Sequence, residues 1–188
     1  PLSHLLKSLD LSINVQYSPY DQIFQQLLDE KSLISTNKNG CNAIFIRLED
    51  WGNVSKESEE DFYITLRRNV DDFLITLDAC SKKSKTPYFI CITPCSKKLL
   101  LNESKNEFIS LLEDEIRQII GTMKSVYFID QNYIDFYYPV NNYYDAITDE
   151  IGHIPYTQEF YTSLALGLVR NFMAVFHTPY KVIVLDCD

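Results

Sequence analysis

Four short apolar runs, separated by longer stretches with helical spacing, constrain the fold of this chain more than any other feature of its sequence. The runs are residues 13–17, 43–48, 88–93 and 126–129. Parallel strands that are buried on both faces read as nearly continuous apolar runs, and they need crossover connections that are usually helices. The alternation therefore predicts an α/β fold, namely a three-layer α/β/α sandwich around a mainly parallel sheet.

Helical spacing predicts the crossover segments. The predicted helices cover residues 3–9, 21–29, 59–80, 104–120 and 157–176, and Gly121 is well placed to end the fourth. Within the third helix, apolar residues recur at spacings of three and four, at Phe62, Leu66, Val70, Phe73, Leu74 and Leu77. This recurrence indicates a stripe that packs against a core rather than a cofactor site.

The charge balance bears on the partners of the protein. The formal net charge is -9 at pH 7, whereas nucleic acids and anionic membranes both attract clustered positive charge. No apolar stretch approaches the roughly 20 residues that a membrane-spanning helix needs. We therefore expect a soluble protein whose partners are small molecules or proteins, with no nucleic acid and no membrane.

The cysteines indicate a reducing compartment. There are five of them, Cys41, Cys80, Cys91, Cys95 and Cys187, and they form no CxxC pair. We interpret them as reduced core residues of a cytoplasmic protein. Cys91 and Cys95 are the first and last residues of the segment CITPC, which could hold a metal ion. The absence of a neighbouring histidine or second cysteine pair favours packing over metal binding there.

Three loops follow or approach the predicted carboxyl ends of strands, where open parallel sheets bind their ligands. They are RLEDW (47–51), TPCSKK (93–98) and YYDAITDEIGHIPYT (143–157). In the first loop, Arg47, Glu49 and Asp50 have two interpretations. They are either an ion-paired set that holds the loop or contacts for an anionic substrate.

The third loop offers a candidate general base. His153 follows Asp149 and Glu150 and precedes Tyr156 and Thr157. An imidazole with an acid three or four residues earlier can be held in one tautomer for proton transfer, with the two later residues as candidate binding groups. The structural alternative is that Asp149 and His153 only fix the loop and that Thr157 caps the last helix.

Parts of the chain resemble a known protein family. The stretches VQYSPYDQIFQQLLDEKSLISTNKNGCNAIFIRLEDW and DEIGHIPYT, followed by PYKVIVLDCD, are similar to the N-terminal part of FkbH-like proteins. These belong to the haloacid dehalogenase (HAD, class HAD-IIIC) superfamily and act in polyketide and nonribosomal peptide biosynthesis. The resemblance covers essentially the whole chain. It implies an SGNH-hydrolase-like, flavodoxin-like domain at residues 1–178 with a truncated first strand, and the start of a HAD domain at 179–188.

The end of the chain carries the most specific part of this resemblance. HAD enzymes open with a hydrophobic strand followed by DxDxT, and Asp186 and Asp188 match the two aspartates. By resemblance, Asp186 is the nucleophile or a magnesium ligand, and Asp188 acts as general acid and base or supports the metal. The resemblance implies Mg²⁺ in the complete HAD domain, where it offsets phosphate charge, and no cofactor in this fragment.

The resemblance also implies a reaction for the parent protein. FkbH-like proteins take a phosphorylated three-carbon glycolytic acid, release its phosphate and deliver a glyceryl unit to the thiol of an acyl carrier protein. Carrier proteins tend to be acidic, so an acidic module needs a local basic patch to dock one. The candidate docking residues are Lys82, Lys83, Lys85, Lys97 and Lys98.

The SGNH motifs are altered in this chain. In the place of GxND, whose asparagine serves the oxyanion hole, Arg47 stands for the glycine and Glu49 for the asparagine. A carboxylate there would repel developing negative charge. Residues 150–153, or 149–153 counted one longer, resemble an altered DxxH. We therefore expect a non-catalytic scaffold or docking domain; the rival is an SGNH-type hydrolase or acyltransferase that uses His153 with a nucleophile outside this chain.

Overall fold

The computed structural model describes residues 1–52 and 59–176, and these form a mixed α/β structure. In chain order the elements are α1 (Leu2–Ser8), α2 (Ile23–Leu28), α3 (Leu33–Thr36), β1 (Asn42–Ile46), α4 (Leu48–Gly52), α5 (Glu59–Lys83), β2 (Tyr88–Ile92), α6 (Lys97–Leu100), α7 (Glu103–Ile120), β3 (Val126–Ile129), α8 (Gln131–Tyr137), α9 (Ala146–Gly152) and α10 (Gln158–Phe176). Residues 179–188, the predicted start of a HAD domain, lie outside the described part.

The sheet has three parallel strands in the order β1-β2-β3. Ile44 is paired with Ile90, and Ile90 with Phe128, so the strands run side by side with their carboxyl ends at one edge. The predicted α/β class and the parallel pairing are confirmed. Each strand lies within or close to its predicted run, because these runs combine apolar, β-branched and aromatic side chains.

Both faces of the central strand are buried. Every residue of β2 is buried, and alternate residues belong to two different apolar clusters. Ile90 and Ile92 pack with α5 and α7, whereas Phe89 and Cys91 pack with residues of α8 and α10. This double burial explains why β2 reads as an unbroken apolar run.

The stripe predicted on α5 is confirmed. All six of its apolar residues, Phe62, Leu66, Val70, Phe73, Leu74 and Leu77, are buried. The helix begins with Glu59, Glu60 and Asp61 and ends with Lys82 and Lys83, charges that suit the helix dipole at each end. It runs three residues beyond its predicted end.

The first predicted strand is wrong. Residues 13–17 are not assigned to a strand, and the side chains of Ile13 and Tyr17 are 38% and 71% exposed. The segment alternates its three apolar residues with Asn14 and Gln16. An isolated alternating run gains strand structure only from a partner, and β1 pairs with β2 alone among the described residues.

The structure bears on the cysteines and on the length of the helices. Cys41, Cys80, Cys91 and Cys95 are free thiols, while Cys187 lies outside the described residues. None of the helices at 1–52 and 59–176 combines the length and apolar character needed to cross a membrane.

Candidate functional site

The candidate residues gather at the carboxyl edge of the sheet. β1 leads directly into Arg47, β2 into Thr93 and β3 into Asp130. The later loop reaches the same edge, where the Tyr156 hydroxyl donates to the Pro94 carbonyl at 2.7 Å and lies 2.8 Å from Thr93 Oγ1. Burial raises the pKa of Tyr156 far above its ordinary value, so this hydroxyl stays protonated and acts as a tie between loop and sheet.

Arg47 is the centre of the edge near β1. Its side chain is only 8% exposed. Nε lies 2.9 Å from each carboxylate oxygen of Asp50, and Nη2 lies 2.6 Å from Oδ1 of the same residue. Nη1 and Nη2 also donate to Asp149, at 2.7 and 3.1 Å. Two carboxylates therefore bind the two edges of one guanidinium, an arrangement typical of strong charge-assisted pairs.

The electrostatics of this group favour its charged form. Burial alone would raise the pKa of Asp149, but hydrogen bonds from Arg47 and Tyr144 outweigh burial and hold it below its ordinary value. Burial also disfavours the charged form of Arg47 and would lower its pKa, but its hydrogen bonds to Asp50 and Asp149 outweigh burial and raise the pKa. Tyr144 donates to Asp149 at 2.9 Å. We call Arg47, Asp50, Tyr144 and Asp149 the Arg47 cluster.

Local structure explains how Asp149 reaches the cluster. Asp145 caps α9 by accepting hydrogen bonds from the backbone N–H groups of Ile147 and Thr148. Tyr144, one residue earlier, forms an isolated antiparallel bridge with Tyr156. The loop is therefore pinned before the helix begins, and Asp149 on the helix meets the strand end.

Glu49 belongs to a separate contact. One of its carboxylate oxygens accepts from the backbone N–H of Ser96 and the other from the Ser96 hydroxyl, both at 2.6 Å. Ser96 in turn caps α6 by accepting from the Leu99 N–H. Glu49 thus joins the end of β1 to the loop after β2, and its carboxylate offers no donor to a developing oxyanion.

His153 is placed differently from the predicted dyad. It ends α9 in a left-handed conformation, with φ 52°, and its exposed ring stacks on Tyr20 with the ring centroids 6.4 Å apart. Its backbone N–H donates to the Asp149 carbonyl, whereas the Asp149 carboxylate binds Arg47 and Tyr144. No hydrogen bond joins the imidazole to that carboxylate in the described residues.

The remaining predicted residues lie outside the Arg47 cluster. Glu150 is exposed on α9. Thr157 precedes α10, accepts from the Phe160 N–H at 3.3 Å and donates to the Asn142 carbonyl at 2.8 Å, which is the capping role considered above. Asp186 and Asp188, the predicted magnesium residues, lie outside the described residues.

Several contributors were not predicted from the sequence. Tyr144, Ser96 and Tyr20, whose hydroxyl lies 3.5 Å from Asp50 Oδ2, all contact the predicted residues. The adjacency of Tyr144 to the capping Asp145 was the available signal. Nothing in the sequence indicated that Ser96 would meet Glu49, 47 residues away.

Comparison with known proteins adds no relative. No protein family, curated protein or solved structure matches the chain. In residues 1–52 and 59–176, no group of three or more histidine, cysteine, aspartate or glutamate side chains is arranged to hold a metal ion.

Proposed function

We propose that this chain is the N-terminal, SGNH-hydrolase-like module of an FkbH-like glyceryl transferase/phosphatase, and that it acts as a non-catalytic scaffold or docking domain. In this proposal the HAD domain that begins at 179–188 carries the Mg²⁺-dependent phosphate chemistry. The parent protein then delivers a glyceryl unit from a phosphorylated three-carbon acid to the thiol of an acyl carrier protein.

The engagement of Arg47 on both edges by carboxylates of its own chain is the observation that carries the scaffold assignment. Its Nε–H group and both terminal amino groups are engaged by Asp50 and Asp149, and the side chain is almost fully buried. A guanidinium that recognises an anionic substrate must have free donors that reach the ligand. A cation neutralised on both edges by its own chain is suited to holding a strand end to a helix.

Glu49 supports the same assignment. In the SGNH pattern its position belongs to the amide that stabilises an oxyanion, and this carboxylate is instead held by Ser96. Preorganised donors at such a position supply a large part of the catalysis of acyl transfer. The Glu49 carboxylate, which only accepts hydrogen bonds, cannot substitute for such donors.

The coarse architecture is compatible with the proposed fold. A parallel sheet with separate apolar clusters on its two faces is what a three-layer, flavodoxin-like domain requires. The finer assignment to the SGNH-like fold remains part of the proposal.

The candidate lysines for carrier docking fall into two groups. Lys82 and Lys83 end α5, shortly before β2 begins, while Lys97 and Lys98 start α6, after β2 has ended. Since β2 has five residues, the groups are separated by about 16 Å of strand. A carrier protein that docks through charge would therefore use one group, and Lys85 belongs with the first.

Reversal of each lysine group to glutamate tests docking. Carrier affinity should fall at low salt when one group is reversed and stay unchanged when the other is reversed, since charge steering depends on proximity. Unchanged affinity in both variants would remove lysine docking.

A histidine comparison separates the scaffold from its rival. In the longer protein that includes the HAD domain, His153→Ala should leave glyceryl loading and phosphate release as they are. His4→Ala, which removes an exposed histidine on α1, is the matched control. If His153 were the general base of an acyl transfer, its loss would lower loading by about 10²- to 10⁴-fold. Such a loss, with phosphate release retained, would favour the rival hydrolase or acyltransferase.

A further inference from the structure

The turn between α3 and β1 contains the only Asn-Gly pair of the sequence, Asn39 and Gly40. Both residues are exposed. Because β1 begins at Asn42, the turn lies at the amino edge of the sheet, opposite the edge that holds the Arg47 cluster. Asparagine is one of the chemically labile residues of proteins, and a following glycine gives its side chain the freest access to the backbone.

The residues on either side of the pair are held in place, whereas the reacting groups of the pair are free. Asn37 Nδ2 donates to the Cys41 carbonyl at 3.1 Å and to Asn42 Oδ1 at 2.9 Å, and Asn37 Oδ1 accepts from the Asn39 N–H at 3.2 Å. Within residues 1–52 and 59–176, neither the side-chain amide of Asn39 nor the Gly40 N–H makes a hydrogen bond. No hydrogen bond therefore has to break before these two groups meet.

Gly40 leaves the backbone beside Asn39 open. Its φ is 78°, and a Cβ built on it would meet no atom within 4 Å. Without a Cβ, the Gly40 nitrogen is unshielded, and the backbone beside it rotates more freely than at any other residue type. Asn39 Cγ is then an electrophile within reach of a nitrogen of its own chain, and a reaction between two groups of one molecule gains from this proximity.

We propose that Asn39 is a site of spontaneous deamidation, which converts it to isoaspartate and aspartate. Hydroxide removes the proton of the Gly40 N–H, and the nitrogen forms a bond to Asn39 Cγ. The bond from Cγ to Nδ2 then breaks, and the leaving group takes a proton from water and departs as ammonia. Water opens the resulting succinimide at either carbonyl, so the reaction needs no reactant besides water and hydroxide.

The products would change the start of β1. Each adds a negative charge to a chain whose formal net charge is already -9, and isoaspartate also adds a methylene group to the main chain. This lengthening falls inside the span that Asn37 closes through its bond to the Cys41 carbonyl, so that bond should weaken. The assignment does not depend on the function proposed above.

A time course of peptide mass spectrometry on the 188-residue chain, kept at mildly alkaline pH, tests the proposal. Asn141 is the internal reference, because it is also exposed in a loop but is followed by Asn142 instead of glycine. Asn39 should convert at least about tenfold faster than Asn141, and isoaspartate and aspartate peptides should both form. Equal rates at the two positions, or aspartate as the sole product, would overturn the proposal.

Substitutions identify the attacking nitrogen. Gly40→Ala shields it and should slow conversion of Asn39 by at least about tenfold. The positive φ disfavours alanine, so circular dichroism must show that this variant is folded; if it is not, the comparison with Asn141 in the parent chain decides. Asn141→Gln is the matched control and should leave the rate at Asn39 unchanged. An undiminished rate in a folded Gly40→Ala chain would overturn the proposal.

Discussion

Two polar regions lie at the carboxyl edge of the sheet, and they differ in how many of their buried polar groups have hydrogen-bond partners. In the Arg47 cluster, two carboxylates accept hydrogen bonds from one guanidinium, and a tyrosine hydroxyl donates to the second carboxylate. In the second region, beside the cavity between α7 and the start of α8 that Glu113 lines, Arg117 Nε and Gln131 Oε1 are buried without a hydrogen-bond partner among the described residues.

The difference indicates which of the two regions stabilises the fold through its polar groups. A buried ion pair offsets its desolvation only when its groups are well paired and hydrogen-bonded, because an unpaired buried charge is costly. The Arg47 cluster meets this condition without any ligand. The region beside Glu113 does not, because two buried polar atoms there lack partners, and such atoms lower the stability of the folded protein.

The largest expected effect is the loss of the central cation. Arg47→Met leaves Asp50 and Asp149 without their partner and should lower the free energy of unfolding by about 3 kcal/mol. Arg67→Met is the matched control, because its pair with Glu115 is exposed and should be worth about 0.5 kcal/mol. Urea unfolding measures both. Equal losses in the two variants would contradict the distinction between a buried and an exposed pair.

The link between the 143–157 loop and the end of β2 should have an intermediate effect. Tyr156→Phe removes the hydroxyl that meets Thr93 and the Pro94 carbonyl, which leaves a buried acceptor unpaired and should cost about 1–2 kcal/mol. Tyr137→Phe, at a residue that is 45% exposed, should cost much less. Thermal unfolding of the pair checks this prediction, and it fails if the two melting temperatures fall equally.

The pH dependence should have opposite signs in the two regions. The pKa of Asp149 is lowered, so its stabilisation is present above the unfolded pKa and is lost as the pH falls through the acid range. The destabilisation caused by Asp149→Asn should therefore shrink below about pH 4. Urea unfolding between pH 3 and pH 8 follows this change.

The pKa of Glu113 is raised from 4.5 to about 7, so folding favours the protonated carboxyl. Its penalty is absent below the unfolded pKa and grows as the pH rises toward 7. Glu113→Gln should gain stability relative to the parent chain over this interval, on the order of 1 kcal/mol after allowance for its partial exposure. The same slope for the Asp149 and Glu113 variants would contradict the comparison.

The smallest expected effect concerns His153, which lies beside the Arg47 cluster without joining it. Its left-handed conformation strains any residue with a Cβ, so His153→Gly should be more stable than His153→Ala by about 0.5 kcal/mol. Both variants lose the stacking on Tyr20, which cancels in the comparison. Differential scanning calorimetry would show whether glycine is the better residue, and a more stable alanine variant would argue against the strain.

Much of the fold could be predicted from local patterns. The α5 stripe and the all-buried β2 both follow from the periodicity of their own residues. Residues 13–17 also have a strand-like pattern, but no neighbouring strand pairs with them in the described structure. Local sequence does not reveal whether a partner strand lies nearby, because that depends on the tertiary fold. The short helices α3, α4, α6, α8 and α9 were missed because segments of four to seven residues are too short to show apolar periodicity.

The site could be predicted in its location but not in its connections. The rule for open parallel sheets placed Arg47, Glu49 and Tyr156 at the correct edge. The partnership of Arg47 with Asp149 joins residues 102 positions apart, and local spacing suggested His153 as the partner of that acid instead. Glu113 lies within an amphipathic helix, where a sequence does not reveal whether a carboxylate faces water or a cavity.

The guanidinium of Arg47 is bound by Asp50 and Asp149 and thereby serves the fold. A double-mutant cycle that combines Arg47→Met with Asp149→Asn measures this most directly, with the exposed Arg67 and Glu115 pair as reference. We predict a coupling energy of about 2 kcal/mol for the first pair and below about 1 kcal/mol for the second. A coupling energy near zero for Arg47 and Asp149 would contradict the account and would leave the guanidinium free to bind a substrate.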